Sequence, residues 1–206
     1  MKDWSLEDYL RPVDAKPPFK DECMYFCGCP MMQHPNAIRA FGFFLSEQKF
    51  EQIIEIGFGH GGLSAVIAFA AVINNSKFYT YDIEVINYDI ISKVEQLGGK
   101  VTIGDVFNNI KEIEKIIQSS GRTLILCDGG NKIEEVKTFS KFMKPDDVIM
   151  AHDYFSNQKV YDTNLWRSCE ITDKDLTETE EYLEPYYKKL FDGVVWMCRR
   201  KKEINA

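Results

Sequence analysis

Between Gln52 and Ala151, short runs of β-branched and aromatic residues alternate with longer helix-forming stretches, and this alternation restricts the chain more than any other feature. The runs Gln52–Ile56, Phe78–Tyr81, Lys100–Ile103, Thr123–Cys127 and Val148–Ala151 read as strands. The stretches between them, about Gly62–Asn74, Ile86–Leu97, Asn108–Ser119 and Ile133–Phe142, read as helices. Strands joined by helices of this length form right-handed βαβ units, which assemble a parallel sheet covered on both faces. Ahead of them, Ile38, Phe41, Phe44 and Leu45 give Asn36–Gln48 an amphipathic helical pattern. Behind them, Glu178–Leu190 reads as a helix despite Pro185. Gly193–Arg199 reads as a last strand that the Asp192-Gly193 turn returns antiparallel to its neighbour.

The expected architecture is one Rossmann-like α/β domain over residues 36–206. It carries a mostly parallel seven-stranded sheet, helices on both faces and a late antiparallel strand. Residues 1–35 are expected to form an N-terminal arm or cap, because Pro12, Pro17, Pro18 and Pro30 interrupt regular structure there. A chain of 206 residues can bury a full core as one domain. Its net charge of −7 opposes nucleic-acid binding, which draws on Lys and Arg to displace counterions. The longest apolar run, Leu63–Ile73, is too short to span a membrane, and Met1–Trp4 does not open a signal peptide, so a cytoplasmic protein is expected. Its six cysteines are then expected as free thiols. Cys23, Cys27, Cys29 and His34 lack the paired spacing of a zinc knuckle.

In sheets of this kind, ligands bind beyond the carboxyl ends of the strands. The first strand runs into Glu55-Ile56-Gly57-Phe58-Gly59-His60-Gly61-Gly62. Glycines there let the backbone turn sharply and approach a ligand closely, and the helix that follows offers unpaired N–H groups. Gly57, Gly59 and Gly62 fit a dinucleotide fingerprint, with Asp82 at the distance of a ribose-binding acid. Against a dinucleotide, Glu55 stands two residues before the first glycine, where it repels a pyrophosphate and suits an ammonium. Asp105 follows the third strand, placed for an adenine amino group. No Tyr-x-x-x-Lys pair exists to run a short-chain dehydrogenase.

Glu55, Gly57, Gly59 and Gly61, then Asp82, then Asp105, together resemble the class I S-adenosylmethionine-dependent methyltransferases over residues 50–155. The resemblance implies that the glycine loop and Glu55 hold the methionine portion, Asp82 the ribose hydroxyls and Asp105 the adenine.

A second polar group is expected opposite this loop. The fourth strand ends in Cys127-Asp128-Gly129-Gly130-Asn131 and the fifth in Ala151-His152-Asp153-Tyr154. Neighbouring strands bring Asp128, His152 and Asp153 together, where they can hold a divalent cation such as Mg²⁺ or Mn²⁺. Equally, Asp128 can cap the next helix and His152 can be a half-buried structural histidine. The segment Gly28-Cys29-Pro30-Met31-Met32-Gln33-His34-Pro35, with the loop above, resembles the cephalosporin hydroxylase-like and rhamnosyl O-methyltransferase family. That resemblance implies Mg²⁺ on Asp128 and Asp153, and methylation of a sugar or natural product. Two positions depart from it. Asn131 stands where the family has a histidine three residues after the aspartate, and His152 stands where it has an acid before the second aspartate. His152 is then the candidate base or ligand. Tyr25, Phe26 and the Tyr154–Arg167 segment, with Phe155, Tyr161 and Trp166, are candidates for the acceptor pocket and lid, and His60 for a contact within the loop.

The expected activity is methyl transfer from S-adenosylmethionine to a small molecule, most simply to oxygen, with a homo-oligomer allowed. The competing readings are an NAD(P)-binding oxidoreductase and a non-catalytic cofactor-binding or assembly protein.

Overall fold

A computed structural model of the chain describes residues 24–34, 36–156 and 170–203. In chain order the elements are β1 (Met24–Phe26), β2 (Cys29–Met31), α1 (Ala37–Glu47), β3 (Gln52–Ile56), α2 (Gly62–Asn74), β4 (Lys77–Asp82) and α3 (Tyr88–Gln96). Then follow β5 (Lys100–Ile103), α4 (Ile110–Ile117), β6 (Thr123–Cys127), α5 (Lys132–Phe139), β7 (Val148–His152), β8 (Tyr154–Phe155) and β9 (Ile171–Thr172). The last are β10 (Leu183–Pro185), α6 (Lys188–Phe191) and β11 (Trp196–Lys201).

Seven strands form one sheet in the order β10-β11-β7-β6-β3-β4-β5. The four pairings from β7 to β5 are parallel, while β11 runs antiparallel to β7 and β10 antiparallel to β11. The chain winds outward from β3 through β4 to β5, then crosses back to β6 on the other side of β3. The strand order therefore reverses between β3 and β6, and a crevice opens at their carboxyl ends.

β3, β6 and β7 are buried along their whole length, as strands covered on both faces must be. Side chains alternate between the two faces. Ile53, Leu124, Leu126, Val148 and Met150 pack with Phe41, Phe44, Ile67 and Val94 of α1, α2 and α3. Ile54, Ile125, Cys127 and Ile149 pack on the opposite face with Ile113, Ile117, Val136 and Phe139 of α4 and α5. Among the described residues no helix is long and apolar enough to cross a membrane.

Two segments differ from expectation. Glu178–Leu190 is not one helix: a 3₁₀ turn at Asp173–Thr179 leads into β10, and only Lys188–Phe191 is α-helical. Pro185 cannot sit inside a helix, but it is tolerated on an edge strand, where it faces Arg199 of β11. Leu183 then joins one core face while Leu190 and Phe191 join the other, which a single helix stripe could not achieve. The segment before α1 is also more regular than its prolines suggest. β1 and β2 pair antiparallel around Cys27-Gly28, both at positive φ, and the hairpin lies on α2, where a Cβ on Gly62 would stand 2.5 Å from the Pro30 carbonyl oxygen.

Candidate functional site

Gly57, Gly59 and Gly61 all adopt positive φ, a region costly for residues with a Cβ. At Gly57 the need is also steric. A Cβ there would lie 2.3 Å from the Asp128 carbonyl oxygen, so the β3 and β6 loops meet only because this position is bare. The Asp128 N–H donates to the Ile56 carbonyl (2.8 Å) and the Gly57 N–H to the Tyr81 carbonyl (2.7 Å), tying three strand ends together. Gly61 caps α2 without a side-chain hydrogen bond, so that helix presents its positive end to the crevice.

Asp82 rises from the end of β4, and its Oδ2 accepts the Gly59 N–H at 2.8 Å. Asp105, beyond β5, caps the following 3₁₀ turn through the Phe107 N–H at 2.9 Å. A cavity of about 410 Å³ is lined by the glycine loop, Asp82, Asp128, His152 and Asp153. A second cavity, about 360 Å³, is lined by Asp82, Asp105, Phe107, Asn131 and Glu135. Both include Gly57, Asp82, Gly129 and Gly130, so they form one cleft across the strand-order reversal. Among the described residues no Lys or Arg lines either lobe.

Glu55 is placed differently from the other acids. It is 1% exposed and lies beneath the loop, accepting the Thr80 hydroxyl at 2.6 Å. Burial pushes its carboxyl up to about 8, against the hydrogen bonds from Thr80 and Ser64. It therefore shapes the loop from below and does not line the cleft.

At the other end of the cleft, Asp128, His152 and Asp153 do converge. One ligand-type atom from each lies within 4.8 Å of the others. His152 Nδ1 is 3.0 Å from Asp128 Oδ1. A carboxylate only accepts, so Nδ1 carries the hydrogen. Burial lowers the basicity of His152, but the Asp128 and Asp153 carboxylates outweigh it, and the net shift is upward. Its ring lies 4.9 Å from that of Trp196. Asp153 holds a left-handed backbone (φ 55), which Asp tolerates better than most residues, and its carbonyl accepts the Glu170 N–H.

Two residues not expected in the site from the sequence complete it. Gln33 donates through Nε2 to Asp128 Oδ2 at 2.9 Å and accepts from Trp196 Nε1 at 2.8 Å, joining the N-terminal segment to both late strands. Lys132, on the first turn of α5, is 5% exposed. Its ammonium donates to Glu170 Oε2 (2.7 Å) and the Gly129 carbonyl (3.0 Å), and it pairs with Asp153 at 3.4 Å and Asp128 at 3.7 Å. Gln33 sits inside the Gly28–Pro35 segment already singled out. A lysine in the first turn of a helix, against the helix dipole, was a readable signal of a specific partner. Asn131 is an N-cap, accepting the Glu134 N–H, and is not a base.

The donor spacing approaches that of a divalent ligand set, since ligands about 2.1 Å from one Mg²⁺ lie no more than about 4.2 Å apart. The donors themselves, however, are engaged by the chain. Gln33 holds one oxygen of Asp128, His152 the other, and Lys132 pairs with both aspartates. A divalent ion about 4 Å from the ammonium would be repelled by about 8 kcal/mol at an effective dielectric constant of about 20. As they stand, these residues do not fit a divalent ion.

Cys27 and Cys29 are free thiols, with Lys93 donating to the Cys27 carbonyl at 2.8 Å, and the Asp128 group alone has metal-ligand geometry among the described residues. Tyr154 and Phe155 are buried, and the Tyr154 hydroxyl donates to Asp173. Tyr25 is exposed. His60 lines the cleft. Tyr161, Trp166 and most of the expected lid lie outside the described residues.

No protein-family model matches the sequence, and no curated protein matches it. Solved structures do. The apo structure of CmcI is 14% identical and superposes with a TM-score of 0.66 over 99% of this chain and 87% of that one. The two share one Rossmann-like α/β fold. CmcI with Mg and SAM shares this fold at 15% identity and a TM-score of 0.64, over 98% of this chain and 87% of that one. The O-methyltransferase TomG from Streptomyces achromogenes, in complex with SAM, does so at 13% identity and a TM-score of 0.50, over 82% and 80%. Identities this low establish likeness of fold alone.

Proposed function

We propose that this chain is an S-adenosylmethionine-dependent methyltransferase that methylates a hydroxyl group of a small molecule. The observation that carries the reading is the charge of the cleft. Its two lobes are lined by Asp82, Asp105, Asp128, Asp153 and Glu135, with no Lys or Arg among the described lining residues, and Lys132 behind Asp128 and Asp153 offsets only part of that charge. A pyrophosphate carries two negative charges and is repelled by such walls despite the N–H groups at the start of α2, so a dinucleotide is disfavoured. A sulfonium nucleoside with an ammonium end is attracted by them. The solved structures of like fold include SAM complexes of CmcI and TomG, in keeping with this ligand.

Bound in the cleft, S-adenosylmethionine supplies a methyl group on a sulfonium sulfur, open to in-line displacement. The protein's task is to align it with the acceptor and exclude water. The uncapped N-terminus of α2 offers its N–H groups to the amino-acid carboxylate. On this reading Asp82, which lines both lobes, takes the ribose hydroxyls, and Asp105, which lines one, takes the adenine amino group. At the acceptor end His152 takes the hydroxyl proton, and Asp128, hydrogen-bonded to Nδ1, orients the ring and supports its positive charge.

The test is transfer of labelled methyl from S-adenosylmethionine to a panel of sugars, phenols and hydroxylated natural products. The reading expects label in at least one hydroxylated acceptor, released by the chemistry of a methyl ether. Incorporation only into amines or thiols would contradict oxygen as the acceptor atom.

A further inference from the structure

Lys132 is a buried cation on the wrong end of a helix. Basic side chains gain from the C-terminal turn and lose at the N-terminal one, yet Lys132 opens α5. Asn131 already caps this helix, and Glu134 and Glu135 supply the acids its first turn favours. Helix stability therefore gives no reason for the lysine. Its side chain folds back beneath Asp128 and Asp153, and Glu170 completes the ring of acids around the ammonium. Three carboxylates gathered this closely repel one another unless a cation sits among them.

We infer that Lys132 is the resident cation of the acceptor site, holding Asp128 and Asp153 in place so that the site works without a divalent metal. This inference rests on the methyltransferase reading for what the site does, but not for how the acids are held. The ammonium binds each aspartate through one oxygen only, and Gln33 and His152 occupy the Asp128 carboxylate from other directions. Lys132 is thus a positioning residue that acts through the two acids. Its removal leaves a cluster of carboxylates with the ligand chemistry of a Mg²⁺ or Mn²⁺ site.

The experiment is titration of the full-length protein with Mn²⁺, followed by electron paramagnetic resonance, for wild type, K132Q and K132R. Wild type and K132R are expected to bind Mn²⁺ no more tightly than millimolar. K132Q is expected to bind at least tenfold more tightly, with the gain lost in K132Q/D153N. A purely structural lysine would not produce a gain of metal affinity. Micromolar binding by wild type that D153N abolishes overturns the inference, as does a folded K132Q with no gain. Should K132Q fail to fold, wild type decides: millimolar binding supports the inference and micromolar binding overturns it. S-adenosylhomocysteine binding is measured on the same samples. Its absence would remove the methyltransferase reading, while the Mn²⁺ titration would still report on Lys132.

Discussion

Asp82→Ala is expected to weaken S-adenosylhomocysteine binding by two orders of magnitude or more while leaving the thermal midpoint within a few degrees. Asp82 sits where the two lobes meet, and its Oδ2 holds the Gly59 N–H. The substitution removes a charged acceptor from the loop and, in the proposed complex, from both hydroxyls of the ribose diol. A hydrogen bond to a charged group contributes about 1.5–3 kcal/mol, so losing the two that the carboxylate offers the ribose hydroxyls weakens affinity by about 10²–10⁴. Because Asp82 is half-buried and the sheet around it is packed on both faces, the fold itself loses little. Equilibrium binding by fluorescence, with melting curves on the same samples, separates the two effects. Affinity within fivefold of wild type would remove Asp82 from the nucleoside site.

Asp128→Ala is expected to act at the other end, lowering turnover about 100- to 1,000-fold with S-adenosylhomocysteine affinity changed less than threefold. That drop is the scale of a lost acid–base pair. Asp128 is the hub of the acceptor end, touching Gln33, His152 and Lys132. Without it, His152 loses its orienting partner and Lys132 keeps only Asp153 and Glu170. Breaking a buried ion pair on one side costs about 3–5 kcal/mol. A lower thermal midpoint is therefore expected too, and Asp128→Asn, which keeps the volume and the Gln33 contact, should recover part of the stability but not the turnover. The measurement is a kinetic comparison using an acceptor found in the methyl-transfer screen. Turnover within tenfold of wild type would contradict the assignment.

The parts of the protein that were legible in the sequence are those that repeat a simple physical pattern. Buried parallel strands must be apolar on both faces, and Gln52–Ile56 and Thr123–Cys127 lie where their composition puts them. The loop at Gly57 was legible because positive φ and a 2.3 Å approach to Asp128 leave no other residue type suitable. Asp128, His152 and Asp153 were legible as a group because β6 and β7 are parallel neighbours with their carboxyl ends together.

What the sequence did not disclose depends on contacts between distant segments. Gln33 reaches Asp128 across 95 residues and Trp196 across 163, and no local period marks such a pairing. Lys132 gave a local sign, but its Glu170 partner lies 38 residues on. Glu55 has the position of a ligand-binding acid and the burial of a structural one, a distinction made by Thr80 on the neighbouring strand. At Glu178–Leu190 the apolar spacing suggested one helical face. Pro185 and the open edge of β11 favoured a strand and a short helix that bury the same residues on two faces.

The central claim is that an acid-lined glycine cleft takes a nucleoside with an ammonium-bearing amino-acid end and rejects a pyrophosphate. Titration calorimetry of the purified protein with S-adenosylhomocysteine and, separately, with NADH tests it most directly. The account predicts saturable, one-to-one, micromolar binding of S-adenosylhomocysteine and no heat from NADH at millimolar concentration. Binding of NADH, with S-adenosylhomocysteine silent, would contradict it.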